Sequence, residues 1–371
     1  MDFGFNEEQE QLRSQVRRFL DGECPMERVR SLIDAEEPFD KGLWGRMAEL
    51  GWQALTVGEE FGGLGLAWED LIVVAEEMGR TLCPSPFVAN AVAARALSVV
   101  GTTEQASTRL PELASGRCVA TLAHLEESDI LGEEGIALEA GTKNGGTELR
   151  GVKMFVPWGQ AADLFLVAAR EGGGVSLFAV ESTRPGVTVE ALKLTDPTNR
   201  AARLSLDSVA VDAADRIGPA GEAWPGLEKV LQAATVALAA EMVGAADAAV
   251  ALAGEYAKVR RQFGQPIGRF QGVKHLLAER YVEVESARSL VYYASWAVDN
   301  LQDATAQVSM AKAAASEALD RGGEDCIQVH GAIGYTWECD AHLYYKRGRY
   351  CRNLLGSPEY HFERILASQG L

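Results

Sequence analysis

The chain is poor in the features that usually settle a protein's class early. No stretch of its 371 residues comes near the ~20 consecutive apolar residues a membrane helix needs. The opening residues, MDFGFNEEQEQLRSQVRRFL, lack the basic start, apolar middle and small-residue cleavage site of a signal peptide, so the expected compartment is the cytoplasm. No close C-x-x-C pair occurs among Cys24, Cys83, Cys118, Cys326, Cys339 and Cys351, and the histidines have no ligand-spaced partners. Reduced thiols packed as small hydrophobes are therefore expected, with no disulfide frame and no metal site. Positive charge is also short. A net charge of -18 argues against nucleic acid or an anionic membrane as the main partner, because no basic face is evident to neutralise phosphates. Internal repeats and low-complexity linkers are absent.

What remains is the balance of a globular protein, 47% hydrophobic and 24% charged, in a chain long enough for two or three packed units. Phe5, Leu12, Val16 and Leu20 recur near helical spacing and predict an amphipathic N-terminal helix. Further helices are expected over 70–78 and 92–100, preceded by the glycine-punctuated Glu60-Phe-Gly-Gly-Leu-Gly-Leu66. Near residue 117 the texture changes to short β-type runs: Cys118 to Leu122, then runs beginning at Asp163, Val175, Val187 and Ala202. Glycine-rich or polar turns at 143–146, 171–174 and 184–186 separate them, which suggests an antiparallel barrel or sandwich. From Trp224 onward long helices return over 227–258, 272–299 and about 305–329. The expected fold is α+β: a helical domain (1–115), a middle β-domain (116–222) and a C-terminal helical bundle (223–371). A β-domain wedged between helical blocks leaves a cleft where a flat cofactor could lie.

Two C-terminal motifs carry a family resemblance. Tyr256-Ala-Lys-Val-Arg-Arg-Gln-Phe-Gly-Gln-Pro-Ile-Gly-Arg-Phe-Gln271 resembles the acyl-CoA dehydrogenase signature Y-A-x-x-R-x-x-F-G-x-P-I, and Gln328-Val-His-Gly-Ala-Ile-Gly-Tyr335 is similar to the second, Q-x-x-G-G-x-G-[YF]. The resemblance runs essentially end to end. It implies an N-terminal helical domain, a middle β-barrel and a C-terminal four-helix bundle that bind FAD and an acyl-CoA. The implied reaction is α,β-desaturation, with a carboxylate taking the α-proton and the β-hydrogen leaving as hydride to flavin N5. It further implies that Arg260, Gln262 and Phe263 reach the cofactor's pyrophosphate and ribityl region across a dimer interface. Gln328, Gly331 and Gly334 would add contacts, and Ser128 would remain from the flavin-ring segment. Arginine suits that task because its planar fork matches phosphate oxygens. The electron acceptor would be an electron-transfer flavoprotein or a similar protein.

The sequence departs from this family where the chemistry is done. The usual base position, a glutamate before Gly-Thr, falls on Leu355 of Arg352-Asn-Leu-Leu-Gly-Ser357, and the alternative position, early in the helix leading to Arg260, falls on Ala234. The flavin-ring segments read Leu122-Ala-His-Leu-Glu-Glu-Ser-Asp129 and Phe155-Val-Pro157, so two threonine hydroxyls have become Leu122 and Pro157. Two explanations follow. Glu241, a lone charge two turns beyond Ala234, could be the base of a self-sufficient enzyme, or could be a buried structural carboxylate. Alternatively the chain is a partner in an α2β2 heterotetramer, lending half of the FAD site, rather than a homotetramer. A flavin monooxygenase or oxidase and a non-catalytic subunit are the other classes to separate. His124 is a wildcard near the ring segment, and His330 is expected to pack.

Overall fold

The computed structural model describes residues 6–143 and 146–371; Phe5 of the expected stripe and the centre of the 143–146 turn lie outside them. The N-terminal block comprises α1 (Glu7–Glu23), α2 (Met26–Ile33), α3 (Lys41–Glu49), α4 (Trp68–Thr81), α5 (Phe87–Val100) and α6 (Thr103–Ala114). Helix α1 starts at a capping box, where the Gln9 N–H donates to Asn6 Oδ1 (2.8 Å) and the Asn6 N–H to Gln9 Oε1 (3.2 Å). Its predicted stripe turns inward, with Val16 and Leu20 buried and Leu12 packed beside them.

The middle block holds β1 (Ala120–Ala123), β2 (Glu139–Lys143), β3 (Gly146–Pro157), β4 (Leu164–Glu171), β5 (Gly174–Glu181), β6 (Val187–Ala191), β7 (Ala201–Val211) and β8 (Arg216–Ile217). They form one sheet in the order β6-β7-β3-β2-β4-β5-β8, with β1 also paired to β4. The expectation of a purely antiparallel sheet is corrected here: β1 and β2 both pair with β4 in parallel. Short spacing between strands signals hairpins only where neighbours in sequence are neighbours in the sheet, and β1 joins across a long excursion. Strands β4 and β5 read as continuous apolar runs because both faces are covered. Leu164, Leu166 and Ala168 join the helical core, while the alternating Phe165, Val167 and Ala169 fill a second core with Phe178, Leu204 and Val209.

The C-terminal block comprises α7 (Trp224–Val259), α8 (Gln271–Asn300), α9 (Thr305–His330), α10 (Ala341–Cys351) and α11 (Pro358–Ser368). Helix α7 is long and apolar enough to cross a membrane by length and composition, yet it packs among α4, α5, α8, α9 and α10 and is mostly buried. Its apolarity is that of a central core helix. Contact with α4 is nearly backbone to backbone: a Cβ on Gly79 would sit 2.0 Å from the Glu241 carbonyl oxygen, and one on Gly244 1.9 Å from that of Glu76. Only glycine permits this approach.

Two buried carboxylates clamp the blocks together. Glu76 accepts from Arg13 (2.6 Å), Arg288 (2.9 Å) and the Tyr292 hydroxyl (2.8 Å), so α1, α4 and α8 share one charge cluster. Its neighbour Glu77 is held by Arg13, Arg17 and Arg80. Burial alone would raise the Glu77 pKa, but the Arg17 and Arg80 bonds outweigh it and hold the carboxyl below its ordinary range.

Candidate active-site cleft and a surface half-site

A cavity of about 1190 Å³ opens between the sheet and the bundle, the size of a small-molecule site with room to spare. Its sheet-side wall carries His124, Leu125, the Asp129 to Glu134 segment and Phe155; its helical wall comes from the first half of α7, the start of α9 and the α10–α11 turn. Behind the sheet-side wall stands a feature that motif reading missed. Lys153, with no exposed surface, donates to Glu126 Oε1 (2.6 Å) and to the His124 carbonyl (3.1 Å). Glu126 Oε1 in turn accepts from the Ala137 and Leu138 N–H groups (3.0 and 2.9 Å), so one buried ion pair pins both ends of the wall segment. Burial lowers the Lys153 pKa to about 8 against the pull of Glu126. An inward lysine on an otherwise alternating strand is the only sequence trace of this device.

His124 itself lines the cavity, and its Nε2 is sealed from water with no hydrogen-bond partner among the described residues. Burial, then the Lys153 charge, lowers its pKa to about 4, so the imidazole is neutral at physiological pH. The ring-binding hydroxyls are not restored by neighbours. Thr121, fully buried, spends its hydroxyl on the Pro157 carbonyl (2.7 Å), and Leu122 is core. Trp158 is buried and packs in the helical core.

On the helical wall, Leu355 occupies the cavity lining at the place where the family resemblance puts a base. Its φ of 54° is a left-handed conformation that costs a non-glycine residue ~1–2 kcal/mol. The turn is nevertheless held firmly. His361 Nε2 lies 3.0 Å from the Leu355 carbonyl, with its Nδ1 3.2 Å from Ser309 Oγ. Buried Lys312 donates to the carbonyls of Cys351 (3.2 Å), Arg352 (3.1 Å) and Gly356 (3.0 Å), capping the end of α10. Ala234 offers a methyl group next to the lining residue Thr235. The carboxylates that do line the cavity sit on its margins: Asp129 and Glu134 are exposed, Glu133 pairs with Arg170 (3.0 Å) and Glu228 lies 3.6 Å from Arg364.

Glu241 is not part of this lining. It is half-buried near Arg347 and Asp196, and desolvation raises its pKa to about 7, with Arg347 opposing and Asp196 reinforcing. Arg347 is itself committed to Asp196 and, at 2.8 Å, to Thr198 Oγ1. Glu241 therefore stands beside a buried ion pair that ties α10 to the loop before β7.

The remaining predicted residues gather elsewhere, at the far end of the bundle. Arg260 caps α7, and the chain then makes a two-residue hairpin in which Gln262 pairs with Gln265 and both central residues, Phe263 (φ 50°) and Gly264 (φ 79°), are left-handed. That is the geometry of a tight primed turn, and it leaves Phe263 91% exposed. Gln328 and Gly331 are exposed at the end of α9, and Gly334 is buried because a Cβ there would lie 2.9 Å from that of His330. His330 welds the two motifs together: its ring stacks on Tyr256 (4.3 Å) and its Nδ1 lies 2.7 Å from the Cys326 carbonyl. Val259, Ile333, Tyr335 and Trp337 are exposed at the same end. From Thr235 in the cavity to Arg260 is 25 residues of helix, roughly 37 Å. One chain cannot bring both sets to one dinucleotide. Ser128 belongs to neither, sitting exposed on a turn beside the cavity residue Asp129.

Comparison with known proteins places this geometry. Residues 6–117 match the acyl-CoA dehydrogenase N-terminal domain and residues 224–370 its C-terminal domain. The chain is 33% identical over 360 residues to the acyl-CoA dehydrogenase IpdE2 of Mycobacterium tuberculosis, covering 97% of this chain and 96% of that one. This chain belongs to the acyl-CoA dehydrogenase family. The family is FAD-dependent, and its fold has the three blocks described above. Among solved structures, the ChsE4-ChsE5 complex from Mycobacterium tuberculosis superposes with a TM-score of 0.91 at 28% identity, covering 100% of this chain and 99% of that one. A variant of the Tcur3481-Tcur3483 steroid acyl-CoA dehydrogenase gives 0.88 at 31% identity, with 98% of each chain covered.

For FAD the two half-sites fit unequally. Arg260, Gln262 and Gln328 are exposed at the tip, as pyrophosphate and ribose ligands should be, with Gln262 Nε2 resting on the Arg261 carbonyl (2.8 Å). On the cleft side, the positions where the resemblance places flavin-ring hydroxyls hold Leu122 and Pro157, neither of which lines the cavity, and the Thr121 hydroxyl is committed to the Pro157 carbonyl.

Proposed function

We propose that this chain is one subunit of a heteromeric FAD-dependent acyl-CoA dehydrogenase. It lends Arg260, Gln262, Phe263, Gln328, Gly331 and Gly334 to a cofactor seated in a partner chain's cleft, and the partner supplies the base. The observation that carries this reading is the pairing of an outward tip with a cavity lined by Leu355 at one usual base position, while the other position holds Ala234, next to the lining residue Thr235. Leucine and alanine accept no proton, and an exposed or ion-paired carboxylate lacks the desolvation that tunes a general base. FAD, when bound, supplies the two-electron acceptor for the hydride leaving the β-carbon. Within this reading Arg260 binds phosphate, Gln262 and Gln328 orient the cofactor, and Phe263 excludes water from the junction. The ChsE4-ChsE5 complex, one chain of which is similar to this one, supports the arrangement by analogy.

The deciding measurement is the flavin-to-subunit ratio of the native assembly, together with activity of the chain alone. A heteromer gives half a flavin per subunit, an inert single chain, and activity on co-expression with a related chain that carries a glutamate at a usual position. One flavin per subunit in an active homomer sinks it. A second reading has one observation in its favour: a Glu241 pKa near 7 is what a general base at neutral pH needs. In a self-sufficient enzyme Glu241→Gln would keep fold and flavin and lose ~10²–10⁴-fold in turnover. Dioxygen uptake without an electron-transfer flavoprotein would instead point to an oxidase or monooxygenase on the same fold.

A further inference from the structure

The cavity has lost its bases but not its polar equipment, and that equipment is concentrated on one patch of the helical wall. Arg364 of α11 donates to the Tyr360 hydroxyl (3.1 Å) and to Thr305 Oγ1 (3.4 Å), and lies 3.6 Å from Glu228 of α7. Gln232 of α7 donates to the same Thr305 oxygen (3.1 Å). All five residues line the cavity. Three helices thus converge on one hydrogen-bonded cluster beside the apolar Trp224, Leu231 and Val308.

The cluster is not closed on itself. Tyr360 accepts from Arg364, but its own proton has no acceptor among the described residues. Gln232 Oε1 likewise receives no donor there. Tyr350, on the same wall, has a hydroxyl without a partner among the described residues, and burial presses it toward staying protonated. Two phenol donors and a guanidinium therefore face the cavity with bonding capacity to spare. A hydrocarbon chain laid against them would strip their water and return nothing, at a cost paid for every group left unmatched. A ligand oxygen would accept what they offer.

We propose that this cleft binds an acyl thioester whose acyl part carries an oxygen function (ketone, hydroxyl or carboxylate) seated against Tyr360, Arg364 and Tyr350, in preference to a plain hydrocarbon chain of the same length. The inference rests on the family reading that the cleft takes an acyl-CoA; it requires binding only, not turnover by this chain. A site built to hydrogen-bond an oxygen discriminates strongly against analogues lacking it, because its buried polar groups are then left unpaired.

The test is calorimetric titration of the full chain, in the assembly it natively forms, with hexanoyl-CoA, 5-oxohexanoyl-CoA, 6-hydroxyhexanoyl-CoA, adipoyl-CoA and free CoA. At least one oxygenated thioester should bind about tenfold or more tightly than hexanoyl-CoA, the worth of one or two well-placed hydrogen bonds. Tyr360→Phe should erase most of that margin and leave hexanoyl-CoA unchanged. Arg364→Met should act most on adipoyl-CoA if the oxygen is a carboxylate, and equally on the three if it is neutral. Thr305→Val, nearly isosteric, keeps the test standing if Arg364→Met fails to fold, and should also narrow the margin. Equal affinity for all four thioesters overturns the inference and leaves the family reading intact. An equal loss for free CoA in Tyr360→Phe assigns the cluster to the CoA arm and overturns it too. Failure of every thioester to bind removes the inference together with the reading beneath it.

Discussion

At the tip of the bundle, Arg260, Gln262 and Gln328 hold polar side chains out in water beside Phe263, Tyr335 and Trp337, whose exposure is unfavourable for an isolated chain. Around the cleft, at the other end of α7, the protein is internally bonded at the places where the family resemblance would put flavin-ring ligands and a base: Thr121 bonds Pro157, His361 and Lys312 hold the Leu355 turn, and Glu126 serves Lys153. The tip is costly alone and makes sense only when covered. The cleft holds those wall contacts together without a partner, and its lining carries no desolvated carboxylate among the described residues. A homomeric enzyme needs both ends functional in one sequence, so the contrast is what a division of labour between two kinds of chain predicts.

Arg260→Ala attacks the contrast at its stronger end. A charge-assisted phosphate contact is worth ~1.5–3 kcal/mol, so flavin retention by the native assembly should weaken by about ten- to a hundredfold, measured from the absorbance ratio after dialysis. Unchanged flavin content would mean that the tip is not a cofactor half-site.

Glu241→Gln tests whether the cleft end hides a base. As a structural carboxylate Glu241 has a folded pKa of about 7, raised by burial above an unfolded value near 4.3. The folded state then holds more protons between those values, and wild-type stability falls as pH rises through that window. The glutamine variant should match wild type at pH 4 and exceed it at pH 8 by roughly 1–3 kcal/mol, visible as a pH-dependent gap in Tm. A gap of the same size at both pH values would remove the buried-carboxylate account. A large activity loss in the assembled enzyme would transfer the base to this chain.

Gln328→Ala should weaken flavin binding less than Arg260→Ala, by only a few-fold, since it removes a neutral donor. A loss equal to that of Arg260→Ala would invert the ranking of the two motifs at the tip.

Much of this molecule was legible in the sequence, for identifiable reasons. The long helices were expected over 227–258, 272–299 and 305–329 and run over 224–259, 271–300 and 305–330, because alanine-rich segments of that length have no other way to satisfy their backbone. Helices α2, α3, α10 and α11 were not foreseen: each is short, and its apolar face is set by the neighbours it meets. In the site, Leu355 could be aligned from its motif, but the Lys153–Glu126 pair could not. Those residues lie 27 apart, and the lysine's place on an alternating strand hints at its inward side without naming its partner. The Tyr360–Arg364–Thr305–Gln232 cluster is equally silent, assembled from three helices far apart in the chain. Sequence motifs report what a cofactor needs locally; a pocket's chemistry is written in tertiary contacts.

The smallest effect concerns His124, and it sharpens the picture of the cleft wall. Its Nε2 is shut away from water without a partner among the described residues, and its pKa near 4 keeps the ring neutral over the working range. Leaving a buried polar atom unmatched costs ~1–3 kcal/mol, whereas an apolar ring of similar shape carries no such penalty. If the ring serves nothing in this chain, His124→Phe should raise stability by up to about 1 kcal/mol, read as a Tm increase of a few degrees, with flavin content of the assembly unchanged. The gain should be larger at pH 6 than at pH 8, by up to about 1 kcal/mol, because the unfolded imidazole (pKa near 6.5) is largely protonated at pH 6 while the buried ring is not. A loss of stability would mean that ordered water or a ligand already satisfies the nitrogen. A loss of flavin would mean that this cleft, and not only a partner's, receives the ring, and the asymmetry between cleft and tip would then have to be drawn elsewhere.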